Sequence, residues 1–285
     1  MILETWNMQG GHTSIARSAP ISRPAAPAAV PMAAAAAVPA GVATAAAPKR
    51  RPPKRQRGEG DKDTVNLAGI MNKFRQNKLD VICLQEAGAC PDYLDFKVGH
   101  KNGVQYLYGT YTPDGGKRRK VPTRESCKLT IYFMWFDTGL HGGRSNNRCS
   151  LAILSKEKPI AYDVIKKKSA PTLRPLIGVQ LGGNQWVYSI HAPSGNHKAA
   201  SGVADSLLKK ITAAKYVCAG DFNCEPASMT ARGHQTFYSE YLTHERGGKL
   251  DFLVAKGCRV RTANEANLDS GVEASDHFSQ AFEVT

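Results

Sequence analysis

Residues 217–226 read Val217-Cys218-Ala219-Gly220-Asp221-Phe222-Asn223-Cys224-Glu225-Pro226. Together with Tyr216, the first three form a short apolar run of the kind that makes a buried strand. Gly220 closes the run and lets backbone or ligand approach closely. Asp221 and Asn223 follow at alternate positions with Phe222 between them. Side chains alternate across an extended chain, so the carboxylate and the amide point one way and Phe222 the other. Both polar groups are costly to desolvate unless they bind something. The commonest use of Asp and Asn at such a place is simply a turn, so the rest of the chain decides what this stretch is for.

Working outward, the pattern around it is mostly strands. An apolar run at 2–7 starts the chain, and Trp6-Asn7-Met8-Gln9-Gly10 ends it in a polar turn. Over 63–77, Val65, Leu67, Ile70, Met71 and Phe74 recur at three-to-four spacing, which predicts an amphipathic helix. A buried strand follows at 80–86 and ends in Gln85-Glu86, so strand, helix and strand suggest a β-α-β unit. Further strands are expected at 105–109, 129–136, 150–154, 161–166, 176–181, 185–191, 249–255 and 278–284. Gly182-Gly183 makes a hairpin turn between two of them. A second helix is expected over 198–213, with Val203, Leu207, Leu208 and Ile211 on one side. No internal repeat is visible.

Charge and composition narrow the partners. The 285 residues carry a net charge of +14, which suits a polyanionic partner. Half of that excess lies between residues 11 and 60, where eight Lys or Arg face the single acid Glu59. Residues 25–47 have no charge and are mostly Ala, Pro and Val, interrupted by Pro27, Pro31 and Pro39. A disordered, partly polyproline linker fits that composition better than a membrane span. It closes on the basic run 49–57, a pattern used for nuclear targeting or nucleic-acid contact. The seven Cys include no Cys-x-x-Cys pair and read as reduced thiols with no zinc knuckle. The chain starts at its first strand, so no amino-terminal signal peptide is expected within it.

The polar residues that end or interrupt apolar runs are Asn7, Glu86, His191, Asp221, Asn223, Asp251, Asp276 and His277. Polar groups repeatedly placed at strand ends are what one sheet edge lined as an active site produces. Carboxylates and amides without Cys or His in ligand spacing suit a hard, oxygen-seeking ion such as Mg²⁺. Two histidines suit proton transfer and phosphate contact. The combination is a natural set for phosphodiester hydrolysis by in-line attack of water.

Six segments carry a resemblance. Trp6-Asn7-Met8-Gln9-Gly10, Leu84-Gln85-Glu86-Ala87-Gly88, Ser189-Ile190-His191-Ala192, Gly220-Asp221-Phe222-Asn223, Leu250-Asp251-Phe252 and Ser275-Asp276-His277-Phe278 occur in that order. The chain thereby resembles the endonuclease/exonuclease/phosphatase (deoxyribonuclease I-like) superfamily. Asn147-Arg148-Cys149-Ser150-Leu151-Ala152-Ile153 and Arg174-Pro175-Leu176-Ile177-Gly178 make it most similar to the cytolethal distending toxin B subunit branch. The resemblance covers residues 1–10 and about 61–285 and implies an α/β fold: a four-layer sandwich of two mixed β-sheets flanked by helices. The catalytic domain would then be 1–13 plus 61–285, with 14–60 as a low-complexity insert. The insert falls where the family runs almost directly from the first strand's loop into the first helix.

The resemblance also implies roles. Glu86 is the principal Mg²⁺ ligand, with Asp276 near it and Asn7 completing the shell. Asp221 orients or deprotonates the attacking water, and Asn223 holds the scissile phosphate. His191 contacts a phosphate oxygen and protonates the leaving group. His277 is a general acid/base or transition-state stabiliser oriented by Asp251. Arg148 lies near the DNA backbone; Arg124 is a poorer match to the same role. The expected function is Mg²⁺-dependent nicking of double-stranded DNA, as a genotoxin subunit with toxin-delivery subunits as partners. Its localisation would be export by a route other than a signal peptide, then a nucleus reached through 49–57. The alternatives are a phosphoinositide phosphatase acting at a membrane, and a non-catalytic DNA-binding or toxin-assembly module.

Overall fold

The computed structural model describes residues 1–8, 62–88, 90, 94–112, 129–136, 149–166, 174–230, 233–245, 247–263, 275 and 277–285. The insert 14–60, Arg124, Arg148 and Asp276 lie outside the described residues. In chain order the elements are β1 (Ile2–Asn7), α1 (Lys62–Arg75), β2 (Val81–Gln85), β3 (Asp95–Lys101), β4 (Val104–Tyr111), β5 (Ile131–Phe136), β6 (Leu151–Ser155), β7 (Ala161–Ile165), β8 (Leu176–Leu181), β9 (Gln185–His191), α2 (His197–Leu208), β10 (Tyr216–Asp221), β11 (Gln235–Phe237), β12 (Asp251–Lys256), β13 (Val260–Thr262) and β14 (Gln280–Val284).

Among the described residues these strands form two mixed sheets. One has eight strands in the order β13-β14-β1-β2-β6-β5-β4-β3, and the other six in the order β11-β12-β10-β9-β8-β7. Each holds one parallel pair, β1 with β2 and β9 with β10, and every other pairing is antiparallel. Each parallel pair is joined through a helix, because two parallel strands need a long crossover. Strands alternate faces, and the inward residues of both sheets build one apolar layer. It includes Leu3 on β1, Val81 and Cys83 on β2, Val187 on β9, Val217 and Ala219 on β10, and Leu253 and Ala255 on β12.

The outward faces are covered by the helices. On one side Ile70, Met71 and Phe74 of α1 pack on Trp6, Ile82 and Leu84. On the other, Ala200, Ala204, Leu207 and Leu208 of α2 pack on Tyr188, Ile190, Cys218 and Phe222. The order is helix, sheet, sheet, helix, a four-layer sandwich. Asn196 caps α2 by accepting from the Ala199 amide at 3.1 Å. The helix ends at Leu208 rather than at 213, because the Lys210 and Ile211 amides turn to the Leu207 and Leu208 carbonyls. Ile211 stays buried beyond that turn, which is why its spacing read as helical. The Gly182-Gly183 connection is a short 3-10 turn that takes in Asn184, with positive φ at Gly183 and Asn184.

A buried ion pair ties α1 to its sheet. Lys73 Nζ lies 2.5 Å from Glu4 Oε1, with both side chains nearly shielded from solvent. Lys73 is in the last turn of α1 and Glu4 points outward from β1.

Candidate active site

All four parallel strands end on the same side of the sandwich, and that is where the polar side chains collect. Open α/β sheets bind ligands beyond the carboxyl ends of their parallel strands. Here those ends are Asn7 on β1, Gln85 followed by Glu86 on β2, His191 on β9 and Asp221 on β10. Strand β12 runs antiparallel to β10, so its first residue, Asp251, comes to the same place. Asp221 pairs in register with His191 on one side and Asp251 on the other. One rung across three strands thus carries a carboxylate flanked by an imidazole and a second carboxylate.

Gly220 makes the rung possible. A Cβ there would lie 2.0 Å from the Ile190 carbonyl oxygen. The close approach is therefore between β10 and β9 backbones, immediately before Asp221.

The Asp221 carboxylate is the meeting point. Its Oδ2 accepts from Asn7 Nδ2 at 2.9 Å, across the gap between the two sheets. It also accepts from Asn223 Nδ2 at 3.0 Å, and Oδ1 accepts from the Asn223 amide at 2.8 Å. His191 Nε2 is 3.6 Å and His277 Nε2 3.9 Å from the same Oδ2. Glu86 Oε1 is 3.8 Å from His191 Nε2. Burial raises the Asp221 carboxyl, the nearby Asp251 raises it further, and His277, the Asn223 amide and the Asn7 amide lower it; the balance stands at about 7.

Asp221 and Asn223 do share a side, but not by strand alternation. The strand ends at Asp221, and Asn223 turns into the left-handed region at φ 50°. Phe222 points the other way and stacks on Phe252 at 4.0 Å. Glu86 is likewise left-handed, at φ 51°. Non-glycine residues in that region carry conformational cost and gather at functional sites.

His277 is held from several directions. Its Nδ1 lies 2.7 Å from Asp251 Oδ2, a carboxylate that can only accept, so Nδ1 carries the proton and Nε2 faces Asp221. The ring of His244 meets the His277 ring edge-on at 4.7 Å. Ser275 Oγ accepts from the His277 amide at 3.0 Å and donates to the Asn7 carbonyl at 2.6 Å. Thr243 Oγ1 accepts from the Asp251 amide at 2.9 Å. His244, Ser275 and Thr243 had no strand-end signal in the sequence.

Arg174 is a further missed residue. Half-buried, it donates from Nη1 to the Ala192 carbonyl at 2.6 Å and from Nε to Cys149 Sγ at 3.4 Å. Asn223 Nδ2 donates to the same Ala192 carbonyl at 2.9 Å. A guanidinium is thus anchored beside the residue expected to hold phosphate. The sequence showed it only as part of a motif.

The donor set fits a hard divalent cation. Glu86 and Asn7 come from the ends of adjacent strands, and the oxygens of Glu86, Asn7 and Asp221 are of the type such ions prefer. Asp221, Asp251 and His277 also offer ligand atoms within 4.8 Å of one another. In that trio the short Asp251–His277 bond commits two of the three groups to each other.

A model of the endonuclease/exonuclease/phosphatase family matches residues 5–277. The chain belongs to that family. No curated protein matches its sequence. Among solved structures, cytolethal distending toxin from Actinobacillus actinomycetemcomitans is similar in fold, with a TM-score of 0.59 at 18% identity over 78% of this chain and 90% of that one. Cytolethal distending toxin from Haemophilus ducreyi also gives 0.59, at 16% identity over 99% and 96%. A humanised TDP2 from D. rerio gives 0.50 at 13% identity over 100% and 98%. These likenesses show the sandwich fold, and the family is one of nucleases and phosphatases.

Proposed function

We propose that the protein is a hydrolase that cleaves phosphodiester bonds of double-stranded DNA with the help of Mg²⁺, and that it is the catalytic subunit of a genotoxin. The observation that carries the reading is the convergence on one buried carboxylate, Asp221, of groups from both sheets: Asn7, Asn223, His191 and the Asp251-anchored His277. Family membership supports phosphate-ester hydrolysis. The net charge of +14 favours DNA as the substrate. The fold likeness to cytolethal distending toxin motivates the toxin role and delivery subunits as partners. The basic run 49–57, directing the protein to a nucleus, completes the reading.

Glu86 and Asn7, with Asp276, would hold the cation, which when bound neutralises charge on the phosphoryl oxygens and leaving group. Asp221 orients the attacking water and takes its proton, and a pKa of about 7 suits that work near neutral pH. His277 presents Nε2 to the same space, and Asp251 stabilises it when it carries the extra proton. In this reading His191 donates to a phosphate oxygen and protonates the leaving group. Asn223 and Arg174 grip the phosphate from the side of Ala192.

The test is supercoiled-plasmid nicking by purified protein in Mg²⁺ or EDTA, beside His277→Ala, with phosphate release from a phosphoinositide in parallel. The expected result is nicking that needs Mg²⁺ and disappears in the variant. Phosphoinositide hydrolysis without nicking would replace the nuclease with a phosphatase at the same site. DNA binding that tolerates EDTA, with neither substrate hydrolysed, would make the protein a binding module.

A further inference from the structure

Behind the Asp221 rung lies a second buried polar cluster that the hydrolytic chemistry does not use; in it Gln85 pairs in register with Asn7, and Thr5 with Cys83. Thr5, Gln85 and Ser189 are all fully buried between the sheets. Thr5 Oγ1 donates to Gln85 Oε1 at 3.2 Å, joining β1 to β2. Gln85 Nε2 donates to Ser189 Oγ at 3.0 Å, crossing from one sheet to the other. Thr5 is two residues before Asn7 and Ser189 two before His191, so each shares its inward face with the site residue beyond it. Gln85 immediately precedes Glu86. Further inward along each strand the same faces carry Leu3, Cys83, Val187 and Val217.

An amide and two hydroxyls in such a place add little net stability. Replacing every partner in a buried polar group with apolar residues of similar shape is often neutral or stabilising. The apolar side chains next along these strands show that this sandwich can fill the space with hydrocarbon. Apolar contact does not fix direction, whereas a satisfied hydrogen-bond network rigidifies its surroundings. The site needs that rigidity because its groups come from two sheets with no covalent link at the rung. Glu86 and Asn7 belong to one sheet, His191 and Asp221 to the other, and they meet across 3.8 and 2.9 Å.

We propose that Gln85 is a positioning residue: bonded to Thr5 and Ser189, it sets the register of the two sheets so that the two halves of the active site meet. The proposal rests on the hydrolase reading of that site.

The test uses the full chain with the triple variant Thr5→Val, Gln85→Met, Ser189→Ala, which removes every partner at once and strands no buried polar group. Thr5→Ser serves as the conservative control. Urea unfolding, plasmid-nicking kinetics and side-chain NMR of His191 and His277 in metal-free protein are measured for each. The triple variant is expected to keep its unfolding midpoint, to lose about tenfold to a hundredfold in kcat with KM little changed, and to shift the His191 ring resonances. Thr5→Ser is expected to retain kcat. Wild-type kcat and His191 resonances in the triple variant would overturn the proposal. So would a loss of kcat that simply follows a fall in the unfolding midpoint. If the wild-type protein hydrolyses neither DNA nor phosphoinositide, the hydrolase reading fails by itself, and the His191 resonances still decide whether Gln85 positions the site.

Discussion

Asp251 is completely buried and spends one oxygen on His277 Nδ1 at 2.7 Å. Turning that carboxylate into an amide removes the charge that orients the ring and stabilises its protonated form. Asp251→Asn should therefore lower kcat by about a hundredfold or more while the fold survives, as read by steady-state nicking beside circular dichroism. Asp221 gives a prediction in pH. Its carboxyl rises from the ordinary 3.8 to about 7 in the folded protein, so between those values the native state binds more protons than the unfolded one. The slope of unfolding free energy with pH is then negative, and this contribution to stability is lost as pH rises toward 7. In EDTA, wild-type unfolding midpoints should fall over that interval and those of Asp221→Asn should stay flatter. Nicking should rise over the same range, because the base must be ionised. An activity that stays level from pH 5 to 8 (about the range in which such a base titrates) would count against Asp221 as the base.

Two elements carry testable constraints. Lys73 of α1 and Glu4 of β1 form an ion pair in a nearly dry interface. Lys73→Met alone leaves a buried carboxylate without its partner and should cost about 3–5 kcal/mol of stability. Combining it with Glu4→Leu should recover most of that loss, and urea titration of the three variants checks both statements. At Gly220 the added methyl of Gly220→Ala meets the Ile190 carbonyl oxygen at 2.0 Å. Because that atom is backbone, β9 and β10 must part. The expected cost is about 1–3 kcal/mol, the usual range for overpacking, with a loss of nicking out of proportion to the loss of stability. The same elements show where sequence reading succeeds. The bounds of β1, β8 and β9 agree with the apolar runs residue for residue, since those strands lie inside the sheets with mostly buried side chains. Strands β3, β11 and β13 gave no such signal. They are exposed or half-exposed, and all three sit at sheet edges.

At the scale of the molecule the dominant property is charge. A protein carrying +14 should bind DNA largely through phosphates, so affinity should fall steeply with salt. For the Asp221→Asn variant, which should bind without cleaving, DNA affinity by fluorescence anisotropy should drop about a thousandfold or more between about 50 and 200 mM salt if about six or more phosphates are contacted. An affinity nearly independent of salt would move the substrate away from nucleic acid. The fold places the opening segment of the chain, β1, between β2 and β14, where Asn7 reaches the centre of the site from one sheet while Asp221 reaches it from the other.

The sequence by itself determined most of the strands and helices and most of the residues that end up together, while the layering of two sheets between helices was implied by the family resemblance. Apolar runs at period two and helical spacing report burial directly, and a polar residue at the end of such a run is conspicuous. It did not determine the geometry. The Asp251–His277 pairing was expected only through the family resemblance, and the edge-on His244 ring, the Arg174 anchor at Ala192 and the Gln85 bridge likewise join residues far apart in the chain or on different sheets. No local pattern encodes such contacts, because they exist only after two sheets have packed face to face and brought the ends of their parallel strands to one edge.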